Sequence, residues 1–117
     1  MDKEEKGMLP EYERIKKIRA IALYYGVGNQ IIKTCEELGE LLTALSRYMI
    51  EAGKNKEDAS KNDVFLSYIV QEIADVQIMI LQITGLLGIN DNVQDFIDYK
   101  LDRQLKRIEA ERGGKVE

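Results

Sequence analysis

Apolar residues along this chain recur at steps of three and four, the spacing of one helix face, and no stretch shows the period of two that a half-buried strand requires. In EYERIKKIRAIALYY, residues 11–25, that face is Ile15, Ile18, Ala22 and Tyr25. Gly26-Val27-Gly28-Asn29 follows, with glycine suited to closing one helix and Asn29 to capping the start of the next. A second helix is expected from about Gln30 to Ala52, with Ile31, Cys35, Leu38, Leu42, Leu45 and Met49 as its stripe. Residues 53–63, GKNKEDASKND, carry no large apolar side chain and read as an exposed loop. A third helix is expected from about Val64 to Leu87, then a turn at Gly88-Ile89-Asn90-Asp91 and a fourth helix from about Asn92 to Glu111. On the fourth, Val93, Ile97, Leu101, Gln104, Leu105 and Ile108 face one way, beside a flank of Lys100, Arg103 and Arg107. The pattern predicts an all-α fold, a four-to-five-helix bundle of antiparallel helices, with residues 1–10 and 112–117 frayed.

Composition narrows the picture. A chain of 117 residues is expected to form one domain with a single core. Its 44% hydrophobic content, single proline and nine glycines suit a folded helical protein. A net charge of −4 offers no basic footprint, so nucleic acid is not an expected partner. One cysteine, Cys35, cannot pair within the chain, and it lies on the apolar stripe, where it reads as inert core. The opening MDKEEKGMLP lacks a signal-peptide run, and a cytoplasmic location is expected.

The charges are unevenly distributed. The chain is 32% charged, yet the 27 residues Val64–Asn90 contain only Glu72 and Asp75. Such a stretch raises the question of a membrane span. The two acids and three nearby glutamines argue against one, because a charge at mid-bilayer costs about 2.5–3.5 kcal/mol even on the mild insertion scale. No membrane partner is expected. The absence of histidine removes Ser-His-Asp and Cys-His nucleophile systems, H-E-x-x-H zinc sites and Glu-x-x-His di-iron bundles. Chemistry, if present, falls to carboxylates, Lys, Arg, Tyr or backbone. Carboxylates alone suit hard cations such as Mg²⁺ or Mn²⁺.

A second acidic group, Glu36, Glu37 and Glu40, lies in CEELGELL on the expected second helix. Glu37 and Glu40 are three apart, as are Glu72 and Asp75, so each pair occupies one side of its helix. If the two helices are antiparallel partners, the four carboxylates converge. Two such charges about 6 Å apart repel by roughly 3 kcal/mol at an effective dielectric near 20. A divalent cation turns that repulsion into coordination. The bland alternative is a solvated acidic face, with Lys33 and Arg47 as ordinary surface partners of Glu37 and Glu40.

Around Glu36-Glu37-Leu38-Gly39-Glu40 and Glu72-Ile73-Ala74-Asp75 the chain resembles the MazG-like, all-α nucleoside triphosphate pyrophosphohydrolases, whose motif is E-E-x-x-E followed by E-x-x-D. The resemblance runs from about Glu11 to Arg107, and Gln30 and Lys33 also precede the first motif. It implies that Glu37, Glu40, Glu72 and Asp75 are metal ligands for Mg²⁺, with Mn²⁺ as a substitute. It implies that Glu36 either supports the ligands from behind or helps activate the attacking water, and that Lys33, Lys100 and Arg103 contact phosphate. The reaction implied is hydrolysis of a nucleoside triphosphate to the monophosphate and pyrophosphate, in a house-cleaning or pool-control role. The assembly implied is a homodimer or tetramer. The 31 residues between Glu40 and Glu72 are more than compact members carry; residues 53–63 are then either a longer loop or a lid, with Lys54 and Lys56 reaching phosphate. Two other readings are a regulatory bundle that holds nucleotide and Mg²⁺ without turnover, and an oligomerisation module with acids on its surface. Tyr24, Tyr25, Tyr48, Tyr68 and Tyr99 read as packing residues, and spacing selects none of them for a base pocket.

Overall fold

A computed structural model of the chain describes residues 10–54 and 59–116, and every element among them is an α-helix. The helices are α1 (Pro10–Tyr25), α2 (Val27–Lys54), α3 (Ala59–Leu87) and α4 (Asn90–Val116). Two compact units divide between Leu87 and Gly88, the first built from α1 to α3 and the second from α4.

Local chemistry explains the boundaries. Proline at the first position of α1 loses no helical hydrogen bond, and Glu11 and Glu13 in the first turn favour the positive end of the helix dipole. Gly26 has φ of +85°, and its N–H donates to the Ala22 carbonyl at 2.9 Å, closing α1. Gly88, at φ of +65°, ends α3 in the same way. Asn29 behaves differently from the expectation. Because α2 begins at Val27, Asn29 lies inside it, and its Nδ2 donates back to the Tyr25 carbonyl at 2.8 Å. It therefore caps the end of α1 and not the start of α2. The expected loop at 53–63 is also shortened, since α2 continues through Lys54 and α3 starts at Ala59. Lys56 falls outside the described residues. The expected fraying after Glu111 is replaced by helix as far as Val116.

Within the first unit, α2 and α3 make the main contact, and α1 packs more on α3 than on α2. The shielded positions of α2 are Gln30, Thr34, Glu37, Leu41, Ala44 and Tyr48, and those of α3 include Phe65, Ile69, Glu72, Val76, Met79 and Ile83. Both sets advance by alternating fours and threes, which is the seam of a coiled coil. Gln30 Nε2 donates to Gln82 Oε1 between the two helices, and both side chains are buried. Seven and ten residues from that pair, Glu37 comes level with Asp75 and Glu40 with Glu72, so a single antiparallel register holds throughout.

This seam is not the stripe that hydrophobicity selects. Ile31, Leu38, Leu42, Leu45 and Met49 are all exposed, Leu42 and Met49 at 66% and 72%. Cys35 is exposed as well, which corrects its reading as core. The more polar stripe beside them faces α3, where Gln30 bonds to Gln82 and Glu37 meets the acids of α3. Helix α3 is apolar around most of its circumference, and Leu66, Val70, Ile73 and Ile80 lie exposed outside the seam. By length and composition Asn62–Leu87 could also cross a membrane. Among the described residues only Ala22, Val76 and Met79 are buried apolar side chains. A core so thin leaves most apolar surface of the first unit without a covering element.

Replacing Gln82 with Leu strands the Gln30 amide in the seam and is expected to lower stability by about 1–3 kcal/mol, the cost of a buried unsatisfied polar group. The double variant Gln30→Leu/Gln82→Leu is expected to recover most of that loss, and a double-mutant cycle from urea unfolding measures the coupling.

Candidate metal centre

Glu37, Glu40, Glu72 and Asp75 each bring a carboxylate oxygen to within 4.8 Å of the others. The seam produces this arrangement. Glu37 and Glu72 are seam positions, buried and half-buried, while Glu40 and Asp75 flank them one turn away and are exposed. At such separations each pair of charges repels by about 3 kcal/mol at an effective dielectric near 20.

Among the described residues the one counter-charge in contact with the group is Lys33. Its Nζ lies 3.2 Å from Glu37 Oε1 and 3.6 Å from Glu36 Oε2. The hydrogen bond to Glu37, followed by the charges of Glu37 and Glu36, raises the Lys33 ammonium above the ordinary lysine value of 10.5. A raised lysine value means that this ion pair contributes to stability below pH 10.5 and that the contribution fades as pH rises through the higher folded-state value. One ammonium does not satisfy four carboxylates. Glu37 Oε2 and Glu72 Oε2 are both buried without a hydrogen-bond partner, and an unmet buried carboxylate oxygen is among the more costly polar defects. Two orphaned oxygens inside a cluster of four acids make a donor set that could hold a hard divalent cation. All the ligands are oxygen, which suits Mg²⁺ or Mn²⁺ and not a thiolate- or imidazole-preferring metal.

A cavity of about 620 Å³ opens beside the cluster. Glu36, Glu40 and Glu72 form its acidic wall, and Arg47, Phe65 and Tyr68 also line it. Glu36 stands outside the group of four. It is exposed, held by Lys33, and faces the cavity.

The structure thus joins the four expected ligands and sets Glu36 and Lys33 beside them. Lys100 and Arg103 belong to the second unit, where both are exposed and the Arg103 guanidinium stacks 5.6 Å from the centre of the Tyr99 ring. Lys54 pairs with Glu51 at 3.8 Å. Arg47, read from sequence as a surface partner for Glu37 or Glu40, has no described carboxylate within 4 Å and instead lines the cavity. Tyr68 does the same, and Phe65 had drawn no notice in the sequence. A signal for them existed: Arg47 is two helical turns from Glu40, and Phe65 two turns from Glu72, on the faces that carry the acids.

Comparison of the chain with protein-family models, with curated proteins and with solved structures finds no match to any of them.

Replacing Asp75 with Asn removes one exposed member of the cluster without touching the Lys33 pair. The metal-free melting temperature is expected to rise by about 4 °C, the shift that about 1 kcal/mol of relieved repulsion gives a domain of this size. Millimolar Mg²⁺ is expected to stabilise the wild type further and to leave the variant unchanged, as read by differential scanning calorimetry with and without the ion.

Proposed function

We propose that this chain is a metal-dependent nucleoside triphosphate pyrophosphohydrolase of the MazG-like kind, converting ribo- or deoxynucleoside triphosphates to the monophosphate and pyrophosphate. The observation that carries this reading is the pair of orphaned carboxylate oxygens within a four-acid cluster that borders an open cavity. The E-E-x-x-E and E-x-x-D spacing adds to it, with the acids on two helices whose register makes them converge.

Glu37, Glu40, Glu72 and Asp75 are the residues that hold the cation. Mg²⁺ bound there supplies neutralisation of phosphate oxygens and activation of water. Glu36 does not belong to the ligand group, and its carboxylate, paired with Lys33, borders the cavity, where it orients and deprotonates the attacking water as a general base. Lys33 holds Glu36 and Glu37 in place and offers its remaining donors to a phosphate. Positioning and charge stabilisation provide most of the rate, as in other phosphoryl transfers. Clearing unwanted nucleotides or limiting a nucleotide pool, in the cytoplasm, is the role that such an activity serves.

The active form is a homodimer or tetramer. Support comes from the exposed stripes of α2 and α3, apolar faces on the two helices that carry the ligands. A second copy covering them completes the core that the first unit lacks.

Wild-type protein with Mg²⁺ is expected to release pyrophosphate from a panel of standard and modified nucleoside triphosphates, and Glu37→Gln to lose about a hundredfold or more of that rate, as removal of a key electrostatic group does elsewhere. Metal-dependent nucleotide binding with no pyrophosphate from any substrate would replace the enzyme with a regulatory bundle. Sedimentation equilibrium is expected to give twice or four times the mass of one chain. Leu42→Glu and Val70→Glu, both at exposed positions, are each expected to shift that mass toward the monomer; an unaltered mass would assign the stripes elsewhere.

A further inference from the structure

We propose that the cavity beside the acid cluster is a nucleoside pocket that prefers bases with a carbonyl oxygen on their edge, read by Arg47 while Phe65 and Tyr68 stack against the ring. The inference rests on reading the acids as the triphosphate end of the site.

Register fixes the layout. With Gln30 paired to Gln82 and Glu40 level with Glu72, continuation along the seam brings Ala44 level with Tyr68 and Arg47 level with Phe65. Arg47 is seven residues beyond Glu40, about 10 Å along the helix axis. The acids therefore occupy one end of the cavity, and the guanidinium and two aromatic rings the other. That distance suits a nucleotide whose phosphates lie at the acids and whose base lies at the rings. A volume of about 620 Å³ falls within the range of small-molecule sites. Between the two ends the α2 wall is Thr43 and Ala44, two small side chains, the Thr43 hydroxyl donating to the Gly39 carbonyl of its own helix, which leaves room for a sugar.

The chemistry of the far end is asymmetric. Phe65 is half-buried and Tyr68 is 49% exposed, so each is anchored and still presents aromatic surface. Base stacking on such rings tolerates any base and gives affinity without choice. Choice falls to Arg47. A guanidinium carries donors and no acceptor, and Arg47 has no described carboxylate partner to occupy it. Guanine offers O6 and N7, and uracil and thymine offer O4, all acceptors. Adenine and cytosine present amino groups at the corresponding edge. A donor-only end facing the base favours the first group. Lys33, by contrast, stands with Glu36 and Glu37 at the acid end, where phosphate charge is to be met.

Calorimetric binding in Mg²⁺ tests this with non-hydrolysable analogues of GTP, UTP, ATP and CTP, and with inorganic tripolyphosphate, which has no base. Wild type is expected to bind the GTP and UTP analogues about tenfold more tightly than the other two, the scale of one good guanidinium contact to a base edge. Arg47→Met, at an exposed position, is expected to bring that ratio close to one and leave tripolyphosphate affinity unchanged. Tyr68→Ala is expected to weaken all four analogues by about tenfold, as loss of a stacking ring does, again sparing tripolyphosphate. An Arg47→Met variant that keeps the base ratio and loses tripolyphosphate would make Arg47 a phosphate contact and overturn the proposal. Tight tripolyphosphate binding without base preference in the wild type would overturn it and leave the proposed function standing. Failure of wild type to bind tripolyphosphate or any analogue would remove both.

Discussion

Four carboxylates held within 4.8 Å of one another between two packed helices are the constraint on which the rest of the first unit depends. An antiparallel helix pair can bury apolar side chains in many registers, but this pair places Glu37 and Glu72 in its seam. Lys33 answers one oxygen of Glu37, and the second oxygens of Glu37 and Glu72 remain without partners. The Gln30–Gln82 hydrogen bond, three helical turns from Glu40 along the same seam, fixes the register that brings the acids together. A helix pair selected for stability alone has no reason to combine a buried amide bridge with orphaned carboxylate oxygens.

Placing the acids in the seam decides the fate of everything else on α2. The polar stripe Gln30, Thr34, Glu37 faces inward, so the apolar stripe from Ile31 to Met49 turns outward by one position. Helix α3 has enough apolar surface to serve both sides. The first unit is thus left with few buried apolar groups and two exposed apolar stripes on its ligand-bearing helices. Site and proposed assembly are linked: the seam that gathers the acids leaves outside the apolar stripes that we propose a second copy covers.

Much of this was legible in the sequence, and the largest miss has one cause. Three-to-four periodicity gave helices where they exist, and Gly26 and Gly88 end them as their positive φ angles require. The i, i+3 spacing of Glu37 with Glu40 and of Glu72 with Asp75 foretold the cluster on the condition that the two helices pair antiparallel, which the Gln30–Gln82 register meets. Periodicity does not say which of two adjacent stripes faces the intrachain partner. The usual rule, that the most apolar stripe turns inward, gave the wrong face of α2 and misread Cys35. Asn29 was misplaced because two glycines close together leave the helix start ambiguous by two residues. Arg47, Phe65 and Tyr68 acquire meaning only once the register is known, since a cavity between helices has no periodicity of its own.

The central claim is that the cluster holds a divalent cation in order to engage a nucleoside triphosphate. Electron paramagnetic resonance of Mn²⁺, titrated with and without a non-hydrolysable nucleoside triphosphate, tests it most directly when wild type is compared with Glu72→Gln. The account predicts protein-bound Mn²⁺ in the wild type, tighter binding when the nucleotide is present, and loss of both in the variant. Equal Mn²⁺ binding by wild type and variant, indifferent to nucleotide, would contradict it.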